Sequence, residues 1–254
     1  MSLAFASVAV IIRPSNAVVW LVLGLRLLRA FDGPQRVHLL LRTLIIGSAA
    51  LALCLAVDTA FYGRLTFTPL AFIHQNVFRS LASFYGVNSL HFYNSQALPH
   101  LMLALWPFMA HGLTLMKTGA LRQLVYVLCW TVGLYSLLEH KEVRFIHPLL
   151  PILHIATALS YLHLRHRRVM RRLFFTALIA NAVAAYYFTA IHARGQVEVV
   201  DVLRASGDVR SVAFLMPCHS TPWQSHLHRR DLETKQGSGD GGRAWFITCE
   251  PPLL

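Results

Sequence analysis

Charge is what this sequence has least of. Only 13% of its 254 residues are Asp, Glu, Lys or Arg, about half the roughly 25% of an ordinary soluble domain, which argues against a cytosolic enzyme. Acid is scarcer than base: 11 Asp and Glu stand against 23 Lys and Arg, and no acidic residue precedes Asp32. The four cysteines are too few for a disulfide scaffold. No CxxC or HxxxH spacing joins Cys218, His219, His226, His228 and Cys249, so those residues do not read as a zinc site. The chain also lacks the paired, helix-broken internal repeats of a transporter.

What is present is apolar: 56% of the residues are hydrophobic. A helix needs about 20 apolar residues to cross a hydrocarbon core of roughly 30 Å. Residues 39–57, 97–116, 146–164 and 173–191 meet that need, 123–138 approaches it, and 3–28 is a sixth span kinked at Arg13-Pro14. A secretory signal does not fit 3–28, because no basic region follows Met1 and the apolar run goes on past Pro14.

The net charge of +12 lies between these runs, so the basic residues are topology signals and not a nucleic-acid face. The connections 26–42, 117–122 and 165–172 hold eleven Lys and Arg, whereas 58–96 and 139–145 hold four. The excess places the first set in the cytosol. The loop 58–96 and the tail 192–254 then face the lumen. The run 165–172, with five arginines, reads as an anchor on anionic lipid. Arg13 either snorkels or faces an internal polar site.

The loop 58–96 contains nine Phe or Tyr, which suits short helices at headgroup depth. Phe72, Val77, Phe78, Leu81 and Phe84 recur there at helical spacing. Asp58 directly ends an apolar span, and a carboxylate at that depth is either paired or faces a water-filled cavity. The turn 139–145 packs five ionisable groups between two apolar runs. It is either a solvated turn with internal ion pairs or a cationic turn suited to a lipid phosphate. Pro148 is tolerated in a first helical turn, and Pro151 is expected to bend the entry to the next span.

After residue 191 the pattern shortens. Residues 196–203, 211–216 and 244–248 are strand-like, so a small α+β or β-rich tail domain is expected, with 236–242 a flexible loop. Cys218 and Cys249 are the cysteines outside the membrane, where a lumenal compartment permits a disulfide. Cys54 and Cys129 lie inside spans as apolar packing residues.

The stretches Asp58-Thr-Ala-Phe-Tyr62-Gly63, Phe84-Tyr85-Gly86 with His91-Phe-Tyr93, Gln96-Ala-Leu-Pro99, and His140-Lys141-Glu142-Val143-Arg144-Phe145 with Pro148 and Pro151 resemble one family. It is the multispanning mannosyltransferases of the endoplasmic reticulum: the GT-C superfamily, glycosyltransferase family 22, with dolichyl-phosphate-mannose as donor. The tail motifs, residues 214–224 and 245–252, look like the branch that adds the third mannose to the glycosylphosphatidylinositol (GPI) precursor.

The resemblance implies an all-α polytopic membrane protein of GT-C type. About six transmembrane helices occupy residues 1–191, and a small α+β lumenal domain occupies 192–254. It implies an inverting α1,2-mannosyltransferase that needs no metal or other cofactor, works on a lipid-linked donor and a GPI glycolipid acceptor, and binds no nucleic acid. His140, Lys141 and Arg144 would meet the lipid phosphate, and Asp58, Tyr62, His91 and Tyr93 would line the sugar or acceptor side. Family members carry an acidic pair in a first lumenal loop that this chain does not show. The resemblance therefore leaves the catalytic base unassigned, with Asp58 the nearest candidate, and leaves a noncatalytic scaffold, a degenerate fragment or a transporter as alternatives. Val143 departs from the acidic residue that relatives often have there.

Overall fold

The proline at position 14 decides how the first apolar run folds. The computed structural model describes the chain except residues 80, 217–219, 223, 233–243 and 247–254. In it Arg13 is extended, with φ −144° and ψ 99°, because the ring of the following proline disfavours helical backbone there. The run becomes helix α1 (Ser2–Ile12), a 3₁₀ turn over Pro14–Asn16 and helix α2 (Ala17–Ala30). Helix α3 (Gly33–Tyr62) starts with Pro34 in its first turn and stops at Gly63, whose φ of 65° is the left-handed cap. Its 30 residues would extend about 45 Å at the helical rise. Asp58 therefore sits within the helix, one turn before its end, and does not close the span as the hydropathy boundary implied.

The aromatic loop is helical, as its spacing predicts, but in short pieces. Helix α4 (Thr68–Ile73) widens into a π turn over His74–Phe78, and a 3₁₀ turn spans Leu81–Tyr85. A second π turn, Tyr93–Ala97, leads into α5 (Leu98–Met102). Leu103 then takes φ 46°, outside helical space for an L-residue, and breaks the run before α6 (Trp106–Leu115). Helix α7 (Gly119–Ser136) follows. A 3₁₀ segment, Val143–Leu149, contains Pro148 and feeds α8 (Leu150–Leu164). Pro151 occupies the first turn of α8, where its missing N–H is not needed. The expected bend at Pro151 is therefore replaced by the tighter 3₁₀ turn ahead of it. Helix α9 (Arg168–Tyr186) ends in a π turn, Tyr187–Ile191.

Among the described residues three runs are long and apolar enough to cross a membrane: Gly33–Tyr62, Val143–Leu164 and Arg168–Ala205. Of the other apolar stretches, 3–28 and 97–116 are interrupted at Pro14 and Leu103, and 123–138 lies largely in the unbroken α7.

The chain divides into two compact units, Met1–Leu178 and Ile179–Leu254. In the first, α6 lies against α8 with backbones in direct contact: a Cβ on Gly112 would fall 1.7 Å from the Ala156 carbonyl oxygen. Such approach needs small residues, as at helix interfaces in lipid. His111 Nδ1 and Ser160 Oγ, 2.9 Å apart, tie the same two helices. Helix α1 packs on α3, and α2 on α7. The core runs through Tyr93, Met102, Met109, Val132, Ile146, Leu149, Leu153 and Ala156.

In the second unit, residues 196–203 are not a strand. They form helix α10 (Arg194–Ala205). Val200 and Leu203 are buried on one face with Val199 packed beside them, and Arg194–Glu198 and Asp201–Arg204 pair along the helix. Val199, Val200 and Leu203 are spaced for a helical stripe, while Val197 and Val202 are exposed. The other two strand readings do form strands, β1 (Val212–Phe214) and β2 (Ala244–Phe246), paired parallel. Helix α11 (Gln224–Leu227) lies between them in sequence. Arg229 ties this unit together, donating to the Leu203 and Val209 carbonyls at 3.0 Å each, to the Ser206 carbonyl and to Asp231. Cys218 and Cys249, expected to pair, lie outside the described residues.

Candidate functional site

The turn 139–145 is fastened to the loop that precedes α5. Asn88 N–H donates to the Glu139 carbonyl at 3.1 Å, and Asn88 Nδ2 donates to the Lys141 carbonyl at 2.9 Å. Lys141 returns the contact, its Nζ donating to the Asn88 carbonyl at 2.8 Å. Lys141 is 4% exposed, so an ammonium is held under the turn by a backbone oxygen. A hydrogen bond from a buried charged donor contributes more than a neutral one, about 1.5–3 kcal/mol.

Glu142 organises the outer face of the turn. Its Oε1 accepts from Arg144 Nη2 at 2.7 Å and lies 2.9 Å from His140 Nε2, while its Oε2 pairs with Arg144 Nε. Burial opposes its ionisation, but the hydrogen bonds from His140 and Arg144 outweigh this and hold the carboxyl below the usual range. His140 Nδ1 is 2.8 Å from the Gly86 carbonyl. Both ring nitrogens thus face acceptors. The His140 side chain is 12% exposed and that of Arg144 67% exposed. The carboxylate of Glu142 is therefore met by two side chains, His140 and Arg144, with Lys141 held on the Asn88 carbonyl, and the guanidinium is the one turned outward. That surplus of donors suits an anion such as a phosphate.

Tyr93 belongs to the same region. It is fully buried, its ring centroid 6.5 Å from that of Tyr135, and Tyr135 in turn lies 6.3 Å from Phe145 in the turn. Among the described residues the Tyr93 hydroxyl has no hydrogen-bond partner. Burial pushes its phenol well above the usual range, against a weaker opposing influence from the Glu142 backbone.

The remaining sequence candidates lie elsewhere. Asp58 Oδ2 accepts from Thr68 N–H at 2.9 Å and Thr68 Oγ1 at 2.7 Å, with Cys54 Sγ at 3.6 Å. It thereby caps the first turn of α4 from a neighbouring helix. Cys54 serves that contact as well as packing, and Cys129 is exposed. Tyr62 stacks edge-on with Phe61 at 5.0 Å and is exposed. His91 Nδ1 is 2.8 Å from Ser95 Oγ in its own turn. The structure thus gathers Tyr93, His140, Lys141 and Arg144, while Asp58, Tyr62 and His91 make their contacts apart from them. Asn88 and the organising role of Glu142 were missed. The i±2 spacing of Glu142 between His140 and Arg144 is a usable signal, whereas nothing in the sequence marks Asn88. Among the described residues no three His, Cys, Asp or Glu side chains converge to hold a metal ion.

Residues 1–228 match the Alg9-like mannosyltransferase family. The chain belongs to that family. It is similar over its whole length to proteins named GPI mannosyltransferase 3: 38% identical to that of Debaryomyces hansenii, covering 46% of it, and 38% identical to that of Yarrowia lipolytica, also covering 46%. The protein of that name from Candida albicans is 36% identical over the whole chain, which covers 48% of it. The chain thus spans about half the length of these curated relatives. No solved structure matches it. The fastened turn lies inside the matched region of this mannosyltransferase family.

Proposed function

We propose that this chain contributes the donor-phosphate side of a GPI mannosyltransferase in the endoplasmic reticulum membrane, one that adds the third mannose in α1,2 linkage. The observation that carries the reading is the 139–145 turn, cationic and fastened from below, in a chain similar from end to end to proteins named GPI mannosyltransferase 3.

In the proposed reaction the 2-hydroxyl oxygen of the acceptor mannose attacks the anomeric carbon of dolichyl-phosphate-mannose. The bond from that carbon to the phosphate oxygen breaks with inversion, dolichyl phosphate departs with the electron pair, and a carboxylate takes the acceptor proton. The departing phosphate needs fixed positive charge. Arg144 supplies it with an outward guanidinium aligned by Glu142, His140 and Lys141 hold the turn, and the Lys141 side chain adds charge behind it. Asp58, Tyr62, His91 and Tyr93 are proposed for the sugar or acceptor side. The reaction as written calls on no metal, nucleotide or other cofactor.

The accompanying topology is six spans over residues 1–191, a lumenal loop at 58–96 and a lumenal α+β tail over 192–254 carrying a Cys218–Cys249 bridge. The basic connections support it by the positive-inside rule.

The test is complementation of cells lacking the third GPI mannosyltransferase, with this chain alone and with it joined to the N-terminal region of a relative, scored by GPI-anchored protein at the cell surface. Rescue by the joined form supports the proposal. Rescue by the chain alone would also make Asp58 the working base, and failure of both would favour a noncatalytic scaffold.

A further inference from the structure

A second cationic site lies where α8 meets α9, outside the residues assigned to the donor. Tyr161, Arg165, His166, Arg168 and Arg171 line a cavity of about 530 Å³, within the ~300–1,000 Å³ of ordinary ligand sites. Such sites are usually apolar-walled, but this one is walled by guanidinium groups and an imidazole, which selects an anion. Its charge is uncompensated. Arg165, Arg168 and Arg171 make no ion pair among the described residues, and the sequence has no Asp or Glu from residue 143 to 197.

The connection is tight, with Arg165 N–H donating to the Tyr161 carbonyl at 2.8 Å and Arg167 N–H to Leu164 at 3.0 Å. The arginines are therefore held close together at the ends of two runs long and apolar enough to cross a membrane. The Tyr161 ring is anchored on Phe174 at 4.6 Å. The Phe175 ring lies 6.0 Å from that of Tyr161, and Phe175, with Leu162 and Leu173 on the same two helices, is about half exposed, so apolar surface accompanies the cationic one.

We infer that this cavity binds the phosphate of an anionic glycerophospholipid, with the acyl chains lying along Leu162, Leu173 and Phe175. A free phosphate ester would satisfy the arginines but has nothing to set against the apolar surface. The site is thus a lipid headgroup seat at five named residues, more specific than a diffuse attraction of a basic loop to an anionic leaflet.

The test uses the whole chain purified in detergent and reconstituted in phosphatidylcholine, with phosphatidic acid as probe and retained lipid read by native mass spectrometry. Arg165→Gln, Arg168→Gln and Arg171→Gln together are expected to lower phosphatidic acid retention about tenfold or more. Removing the same charge at Arg36, Arg167 and Arg172, which do not line the cavity, is expected to lower it clearly less than the lining set does. Replacing the three lining arginines by Lys guards against misfolding and is expected to lose part of the binding, because charge is kept and the bidentate fork is lost. Equal losses from the lining and non-lining sets would overturn the inference in favour of diffuse attraction. Displacement of phosphatidic acid by soluble glycerol 3-phosphate at similar concentration would overturn the lipid assignment in favour of a free phosphate ester. Neither outcome bears on mannose transfer.

Discussion

The run Gly33–Tyr62 has a mean hydropathy of 2.2, against 1.5 for Val143–Leu164, yet 6% of its span window is buried against 39%. The more hydrophobic helix has the fewer neighbours. Leu40, Leu44, Ile45 and Leu53 of α3 face outward, whereas α8 presents Ala156 and Ser160 to Gly112 and His111 of α6. Hydropathy therefore reports the medium a helix prefers, and small or hydrogen-bonding side chains report where helices meet. The cationic turn stands at the head of the packed run and is fastened by Asn88. Asp58 stands on the sparsely packed one.

The sharpest way to break the contrast is to add a methyl group to each helix. Gly112→Ala places a carbon against the Ala156 backbone, which cannot rotate away. It should cost about 3 kcal/mol or more, read as a large drop in melting temperature and monodisperse yield in detergent. Gly47→Ala on α3 meets nothing within 4 Å and should be neutral or stabilising by up to about 1 kcal/mol. Comparable losses from both would erase the distinction.

Next in size is the fastening of the turn. Lys141→Ala removes a buried donor and should destabilise by about 1.5–3 kcal/mol, with faster hydrogen exchange in 86–88 and 139–145, while Arg42→Gln on exposed α3 should stay within about 0.5 kcal/mol. Asp58→Ala should remove the cap on α4, a smaller effect confined to that helix and visible as faster exchange of the Thr68 amide. A change spreading to the turn would join two regions that the structure keeps apart.

The smallest effect is on pH. Because the folded-state value of Glu142 is depressed, its contribution is complete above the unfolded-chain value of about 4.3 and is lost as pH falls through the folded value. With Arg144 largely exposed the amount should stay below about 1 kcal/mol. Glu142→Gln should flatten the acid limb of a stability profile, and an unchanged limb would contradict the assignment.

Much of the helical architecture was legible because apolar runs and prolines carry their meaning locally. The 196–203 helix was misread because valine favours strands and a short window cannot separate period 2 from the 3.6-residue stripe of Val199, Val200 and Leu203. Of the site, the cationic turn was legible from its composition. Its fastening was not, because Asn88 lies 53 residues from Lys141 and no local pattern marks a side chain that will meet a distant carbonyl. The role of Asp58 in capping Thr68 is hidden for the same reason.

The most direct test of the donor assignment is transfer of labelled mannose from dolichyl-phosphate-mannose by membranes carrying the chain joined to a relative's N-terminal region, with Arg144→Gln compared with Arg64→Gln. Arg144→Gln is expected to lose about tenfold or more, as for removal of a charge-stabilising group, at unchanged protein level, with little change for Arg64→Gln. Undiminished transfer with Arg144→Gln would contradict the assignment of the turn to the donor phosphate.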